Sequence, residues 1–206
     1  MAKRGYHHGN LKQALVDVAL EMIVEKGPGS FSITEAAKHL GVSSAAPYRH
    51  FSSKEEIVEE AARQGYEIFA DLLEFAADGG KPSPLSSFEA ACKAYLAFAT
   101  RNPGHYIAMF ESGISVNASP ALAHAARRAK SVVEQAARTL VAGHEVAHIP
   151  PPAMIGDHIW AISHGIVELY ARGPEGLRSQ FSAEELLETG IGVYLRGLGV
   201  VQPDGQ

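Results

Sequence analysis

The chain has 206 residues, of which 46% are hydrophobic and 20% are charged, a balance typical of a folded globular protein and not of a disordered chain. Its single cysteine, Cys92, excludes an internal disulfide and a four-thiolate zinc site, and it is typical of a reducing compartment. The net charge of −5 combines +3 over residues 1–54 with −8 over the rest. This asymmetry predicts that the first 54 residues, and not the body, meet a polyanion.

The start of the chain is polar and carries His7, His8 and Asn10 where a secretory signal needs an apolar run. No stretch approaches the roughly 18 consecutive apolar residues of a membrane-spanning helix. We therefore expect a cytoplasmic protein with no membrane partner.

Helix start and stop signals divide the chain into helices separated by glycine and proline. Capping-box starts, in which a cap residue is followed three positions later by Gln or Glu, occur at Asn10, Ser32, Ser53 and Ser182. Further helices are expected over about Ser87–Arg101, His105–Glu111, Pro120–Gly143 and Ala153–Arg172. No segment alternates with the period of a strand, so we predict an all-α fold of roughly nine helices.

The helix that follows Ser53 is predicted to be long. Its apolar residues recur at helical spacing and are expected to form one buried face. They are Ile57, Ala61, Ile68, Leu72 and Phe75.

Residues 32–54, SITEAAKHLGVSSAAPYRHFSSK, contain two short predicted helices joined through Gly41. Gly41 stands where a helix ends in left-handed backbone, and Ser43 can cap a second helix two residues later. This spacing predicts a helix-turn-helix whose second helix is presented outward. Pro47 is tolerated there only because it falls near the first turn, where backbone donors are still unpaired.

The second helix of this motif has an unusual composition. Its first turn consists of small residues that fit against base edges, and its continuation carries hydrogen-bond donors suited to phosphates and bases. The small residues are Ser44, Ala45 and Ala46, and the donors are Tyr48, Arg49 and His50.

The motif Gly41-Val-Ser, followed by Tyr48, His50-Phe51 and Lys54-Glu55, resembles the DNA-binding signature of the tetracycline-repressor (TetR) family of bacterial regulators. Pro47 departs from the aliphatic residue that the family usually has there. The resemblance implies a DNA-binding domain over residues 1–54, a connecting helix over about 54–77, and an effector-binding and dimerisation domain over residues 85–200.

By position in that signature, DNA contacts fall on an N-terminal arm, on the start of the first motif helix, on the second helix, and on the start of the next. These residues are Lys3, Arg4, Thr34, Ser44, Ala45, Ala46, Tyr48, Arg49, His50 and Lys54. The plain alternatives are that Tyr48 packs in the core and that Lys54 is a solvated first-turn residue. The implied partner is double-stranded operator DNA, bound by a homodimer.

Trp160 and His164-Gly165 form a Trp-x-x-x-His-Gly pattern that resembles a signature in the C-terminal domains of one group of these regulators. No cofactor is expected, and the resemblance implies an unidentified small-molecule effector in the body. The candidate pocket residues are Tyr95, Phe98, Tyr106, Met109, Phe110, Trp160 and His164. Ordinary core packing is the alternative for each of them.

One pattern favours a different class of protein. His144-Glu145 and His148 match the zinc-peptidase motif, in which a helical turn presents two imidazoles and a glutamate acts as base. Gly143 before the motif and three prolines at 150–152 after it disfavour a helix. We therefore expect no metal site and no enzyme, with a metal-dependent hydrolase as the alternative.

Overall fold

The computed structural model describes residues 10–144, 149–173 and 179–201. Within these ranges the chain forms eight α-helices and no β-strand, which confirms the predicted all-α class. The helices are α1 (Leu11–Lys26), α2 (Ile33–Leu40), α3 (Lys54–Ala77), α4 (Pro84–Arg101), α5 (Pro103–Phe110), α6 (Pro120–Val141), α7 (Pro152–Ile166) and α8 (Ala183–Gly197). None of these helices is long and apolar enough to cross a membrane.

Hydrogen bonds account for the helix starts. The Asn10 side chain accepts the backbone N–H of Gln13 at 3.2 Å, and the Ser53 hydroxyl accepts that of Glu56 at 3.3 Å. Ser182 forms a full capping box before α8. Each bond satisfies a donor that the first turn of a helix leaves unpaired.

The second helix of the motif is shorter and tighter than predicted. The chain after Ser43 makes a turn and then a single 3₁₀ turn over Pro47–Arg49. The Ala46 N–H donates to the Ser43 carbonyl oxygen at 3.0 Å, and the His50 N–H donates to that of Pro47 at 2.9 Å. Proline has no N–H to close an α-helical bond back to Ser43, so the backbone tightens at this point.

Packing divides the chain into two compact units. The first comprises the described residues up to Glu67 together with Asn102–Ala126, and the second comprises Ile68–Arg101 and the described residues from Arg127 onward. In the first unit α1 packs against α2 and α5, and in the second α4, α7 and α8 pack against one another. The division into domains at residues 1–54 and 85–200 stays a prediction, and by packing alone residues 102–126 group with the first unit.

The buried face of α3 agrees with the predicted one at Ile57 and Ala61, which are fully buried, and differs from it further along the helix. Phe69 and Leu73 are fully buried, whereas Ile68 is 39% exposed and Phe75 is 83% exposed. One residue along a helix corresponds to a rotation of about 100°, so the two stripes lie side by side on the helix surface. After Ala61 the buried hydrophobic residues of α3 are Ala62, Tyr66, Phe69, Ala70 and Leu73.

Candidate nucleic-acid interface and effector site

Buried alanines and backbone hydrogen bonds hold the helix-turn-helix in place. Ala36 and Ala37 of α2 are buried, and their small side chains let neighbouring helices approach closely. Gly41 ends α2 in left-handed backbone at φ 70°, and the Val42 N–H donates to the Ala37 carbonyl oxygen at 3.0 Å. This Schellman-type stop is what the predicted turn required.

The segment 44–50, called the exposed turn below, is anchored from the inside. Pro47 is buried, and Phe51, which follows the exposed turn, is 5% exposed. Between these anchors Tyr48, Arg49 and His50 are all exposed, with 56% of Tyr48 open to solvent. The structure therefore places Tyr48 outside the core, with its hydroxyl available to a partner.

The remaining predicted DNA contacts divide by exposure. Thr34, Ser44 and Ala45 are exposed, and Ala46 is half-buried. Lys3 and Arg4 lie outside the described residues. The exposed turn itself has no negative charge, because residues 36–54 contain no aspartate or glutamate. Glu35, just before this stretch, is engaged by the Lys26 ammonium at 2.5 Å.

Lys54, a predicted DNA contact, makes a hydrogen bond to the backbone of the first unit. Its Nζ donates to the Gly29 carbonyl oxygen at 3.2 Å, which ties the loop after α1 to the start of α3. An ammonium has three donors, so two remain for other acceptors. Lys54 is half-buried, so it is not a fully solvated first-turn residue, and its DNA contact stays a prediction.

Four of the predicted effector residues meet in the second unit. The Phe69 ring lies 5.1 Å from that of Tyr95 and 5.6 Å from that of Trp160, both edge-on. The Tyr95 hydroxyl and the His164 Nδ1 share a hydrogen bond of 3.0 Å, and Phe98 packs on Phe69 at 4.9 Å. Edge-to-face pairs at these separations stabilise a core beyond simple burial. Sequence reasoning missed Phe69, because this residue lies on α3, outside the predicted effector domain.

The other three predicted residues lie in the first unit. Tyr106 and Phe110 pack at 4.9 Å, and Phe110 also meets Tyr66 edge-on at 5.9 Å. Met109 lies against Gly65 of α3, where a Cβ would come within 2.7 Å of its Sδ. The structure thus places four of the seven candidates in the second unit and three in the first.

A small cavity lies in the second unit, at the cluster that contains Tyr95 and Trp160. Its volume is about 10 Å³, enough for one ordered water and too small for an effector. The walls include Leu73, Phe88, Tyr95, Ala136, Trp160 and Ser163. The Ser163 hydroxyl is buried there with no hydrogen-bond partner among the described residues. A buried polar group without a partner is costly, so Ser163 marks a position where a ligand or water gains a bond.

The remaining candidates for chemistry are the Cys92 thiol and the zinc-peptidase pattern. Cys92 is buried, and burial raises the pKa of its thiol to about 12, so it is inert as a nucleophile. Of the zinc-peptidase pattern, Glu145 and His148 lie outside the described residues, and His144 is exposed at the end of the preceding turn. Within 10–144, 149–173 and 179–201 no group of three or more His, Cys, Asp or Glu could hold a metal ion.

A helix-turn-helix that presents an acid-free exposed turn, joined to an all-helical body, defines a DNA-binding transcriptional regulator. Comparison with known families agrees. Residues 15–61 match the family described as bacterial regulatory proteins, tetR family, and residues 88–194 match one described as tetracyclin repressor-like, C-terminal domain. The second match alone covers more than half of the chain. The chain therefore belongs to the tetracycline-repressor family of bacterial regulators, whose members are regulators and not enzymes.

Individual relatives share the fold at low identity. The nucleoid occlusion factor SlmA of Aliivibrio fischeri is 40% identical over 89 residues, which are 42% of this chain and 44% of SlmA. The chain thus spans less than half the length of the curated relative it matches. A Rhodococcus sp. RHA1 protein of unknown function has a TM-score of 0.80 at 23% identity, over 95% of this chain and 98% of that one. AibR, solved with isovaleryl coenzyme A and operator DNA, has a TM-score of 0.67 at 15% identity, over 88% and 96%.

Proposed function

We propose that this protein is a cytoplasmic transcriptional repressor that binds a pseudo-palindromic operator as a homodimer and leaves it when a small effector binds. The exposed turn carries the proposal. Its small residues permit close approach to base edges, and Tyr48, Arg49 and His50 supply donors for bases and phosphates. Two such turns related by a two-fold axis enter successive major grooves roughly 34–36 Å apart.

Specific binding is tested by selecting duplexes from a random library with the purified protein and titrating the selected duplex by fluorescence anisotropy. We expect an inverted repeat that is bound at least about 10³-fold more tightly than a scrambled duplex. Arg49→Ala should erase much of this preference, because arginine on guanine discriminates by about 1–3 kcal/mol. Arg138→Ala is the matched control, since Arg138 pairs with Glu134 on α6. Equal affinity for selected and scrambled duplexes would refute the proposal.

The glycines of α8 support the homodimer. Glycine inside a helix costs about 1 kcal/mol relative to alanine, so its presence calls for a close neighbour. A Cβ on Gly197 would meet nothing within 4 Å in this chain, and one on Gly192 would meet only the Arg196 guanidinium. The chain's own packing therefore does not require these glycines. Between them Val193 is 58% exposed, which suits an interface with a second copy.

Gly197→Phe tests that interface, because a Cβ at this position would meet nothing within 4 Å in the monomer. We expect sedimentation to show a shift from dimer to monomer, accompanied by loss of operator affinity, since two linked half-sites bind more tightly than one. Val116→Glu, at an exposed apolar residue between α5 and α6, is the control. An unchanged dimer in Gly197→Phe would place the interface elsewhere.

An effector site in the second unit completes the proposal. The small cavity with its unpartnered Ser163 hydroxyl supports such a site, and AibR offers a protein of the same fold that was solved with both a ligand and operator DNA. An effector alters operator affinity only through its different affinity for two states of the protein. A cavity that is closed in one state and opened by ligand supplies that difference.

A further inference from the structure

A groove of about 550 Å³ opens on the second unit beside the small cavity. It lies between the end of α3, the turn 78–80, the start of α4, and α6. The lining residues that matter here are Glu74, Ser87, Ser131, Gln135, Ala136 and Thr139. The groove is large enough for the polar part of a small ligand.

The groove and the cavity share one wall. Ala136 lines both spaces, and its side chain is only a methyl group. Ser87 lines the groove, and the next residue, Phe88, lines the cavity. Ala136 is therefore the position at which a ligand in the surface groove would come nearest to the apolar interior.

The hydroxyls of the groove are arranged as hydrogen-bond acceptors. Each already donates its one proton to a backbone carbonyl oxygen: Ser87 to Lys81 at 3.0 Å, Ser131 to Arg128 at 2.7 Å, and Thr139 to Gln135 at 3.0 Å. A hydroxyl whose proton is committed has only lone pairs left to offer. A ligand group that donates hydrogen bonds therefore finds three acceptor hydroxyls here, while only the Gln135 amide in this set offers donors.

The charge around the groove also favours an uncharged or cationic ligand group. Both carboxylate oxygens of Glu74 accept from Arg128, at 2.7 and 3.1 Å, and Arg128 also pairs with Asp71 at 2.6 Å. One guanidinium thus faces two carboxylates, which leaves a net negative charge. Among the described residues that line the groove there is no lysine or arginine. An anionic group, such as the phosphates of a coenzyme A thioester, would find no cation in this lining.

We propose that the effector is an amphiphile whose uncharged or cationic donor head sits in the groove and whose apolar tail passes Ala136 into the cavity beside Trp160. This inference rests on the proposed function, because it names the effector class of that regulator. The tail enlarges a cavity that is closed without it and brings a partner atom or a water to the Ser163 hydroxyl. Opening the cavity is the step that gives the ligand different affinities for two states of the body.

Three probes with one tail test the choice of head: octylamine, 1-octanol and octanoate at pH 7, below their micelle concentrations. Trp160 is the only tryptophan, so its fluorescence reports the cavity without labelling. We expect saturable changes with octylamine and octanol, and at least about tenfold weaker binding of octanoate. Glu74→Gln should remove the advantage of octylamine over octanol. Octanoate binding as tight as octylamine, or no saturable change with any probe, would overturn the inference.

The route past Ala136 is tested by Ala136→Leu, with Ala121→Leu at an exposed position of the same helix as the control. Leucine suits a helix, so both variants should fold, but the larger side chain at 136 should weaken octylamine binding at least about tenfold. Thr139→Val keeps the shape, removes one acceptor, and should weaken octylamine and octanol alike. Octylamine binding unchanged in both Ala136→Leu and Thr139→Val would overturn the assignment.

The same samples are titrated with the selected duplex. If the duplex binds specifically and no probe affects the protein, the effector class is wrong and the regulator stands. If no duplex binds specifically, the proposed function fails, while the fluorescence titrations still decide the site.

Discussion

Gly104 lies in the first turn of α5, buried against α1, and its replacement by alanine should loosen the first unit. A Cβ on Gly104 would lie 2.9 Å from the Leu20 carbonyl oxygen and 3.1 Å from the Leu20 Cβ. Ordinary contacts begin at 3.4 Å, so α5 has to move away from α1 by about 0.5 Å. The Leu20 carbonyl cannot yield instead, because it belongs to the helical backbone of α1.

The magnitude follows from two opposing effects. Overpacking a close-packed interior costs about 1–3 kcal/mol. Alanine recovers at most about 1 kcal/mol through its higher helix propensity, and less in the first turn, where Gly104 lies. We therefore expect Gly104→Ala to lose about 1–2 kcal/mol of unfolding free energy, which lowers Tm by roughly 2–8 °C in a chain of this length.

Thermal denaturation followed by circular dichroism measures this loss, and Gly65→Ala is the matched control. A Cβ on Gly65 would also be crowded, but by the Met109 Sδ at 2.7 Å and the His105 Cβ at 3.1 Å. A flexible thioether turns aside cheaply, so Gly65→Ala should change stability by less than about 0.5 kcal/mol. Equal losses in the two variants would refute the argument that contact with backbone, and not crowding alone, sets the cost.

Two further perturbations concern the first unit. Lys54→Ala should flatten the slope of log affinity against log salt by about one unit per contact and also lower Tm, because the bond to Gly29 is lost. A lower Tm with an unchanged slope would mean that Lys54 only ties the loop. Burial lowers the pKa of His105, partly opposed by Asp17. The unfolded chain then binds a proton more readily, so stability is full above pH 6.5 and is lost as pH falls below it. Thermal denaturation at pH 7.5 and 5.5 should show a larger drop in Tm for the wild type than for His105→Gln, and identical drops would contradict this.

Helix starts and the turn of the motif were predictable from the sequence because each depends on residues a few positions apart. A cap such as Ser182 with Glu185 is a contact across three residues. Left-handed backbone at Gly41 needs only a residue without a side chain at the end of α2. No distant part of the chain is required for either feature.

The register of α3 and the division of the aromatic residues depend on distant parts of the chain. Periodicity predicted that Ile68 is buried on α3, but the structure buries Phe69, because Tyr95 and Trp160 pack on its ring. Tyr106, Met109 and Phe110, which are predicted effector residues, lie on α5. In the structure α5 packs on α1, and no local pattern indicates that pairing.

Pro47 links the local chemistry of the exposed turn to its reading of DNA. Its buried ring takes the place of the aliphatic anchor expected in the family, while its missing N–H converts the motif helix into a 3₁₀ turn. Successive side chains then rotate by about 120° instead of about 100°, which turns Tyr48 by about 20° and Arg49 by about 40° relative to an α-helix. A rotation of that size changes which base a long arginine side chain can reach. We therefore expect the base preference of this turn to differ from that of an α-helical motif helix, and Pro47 to be the residue that sets the difference.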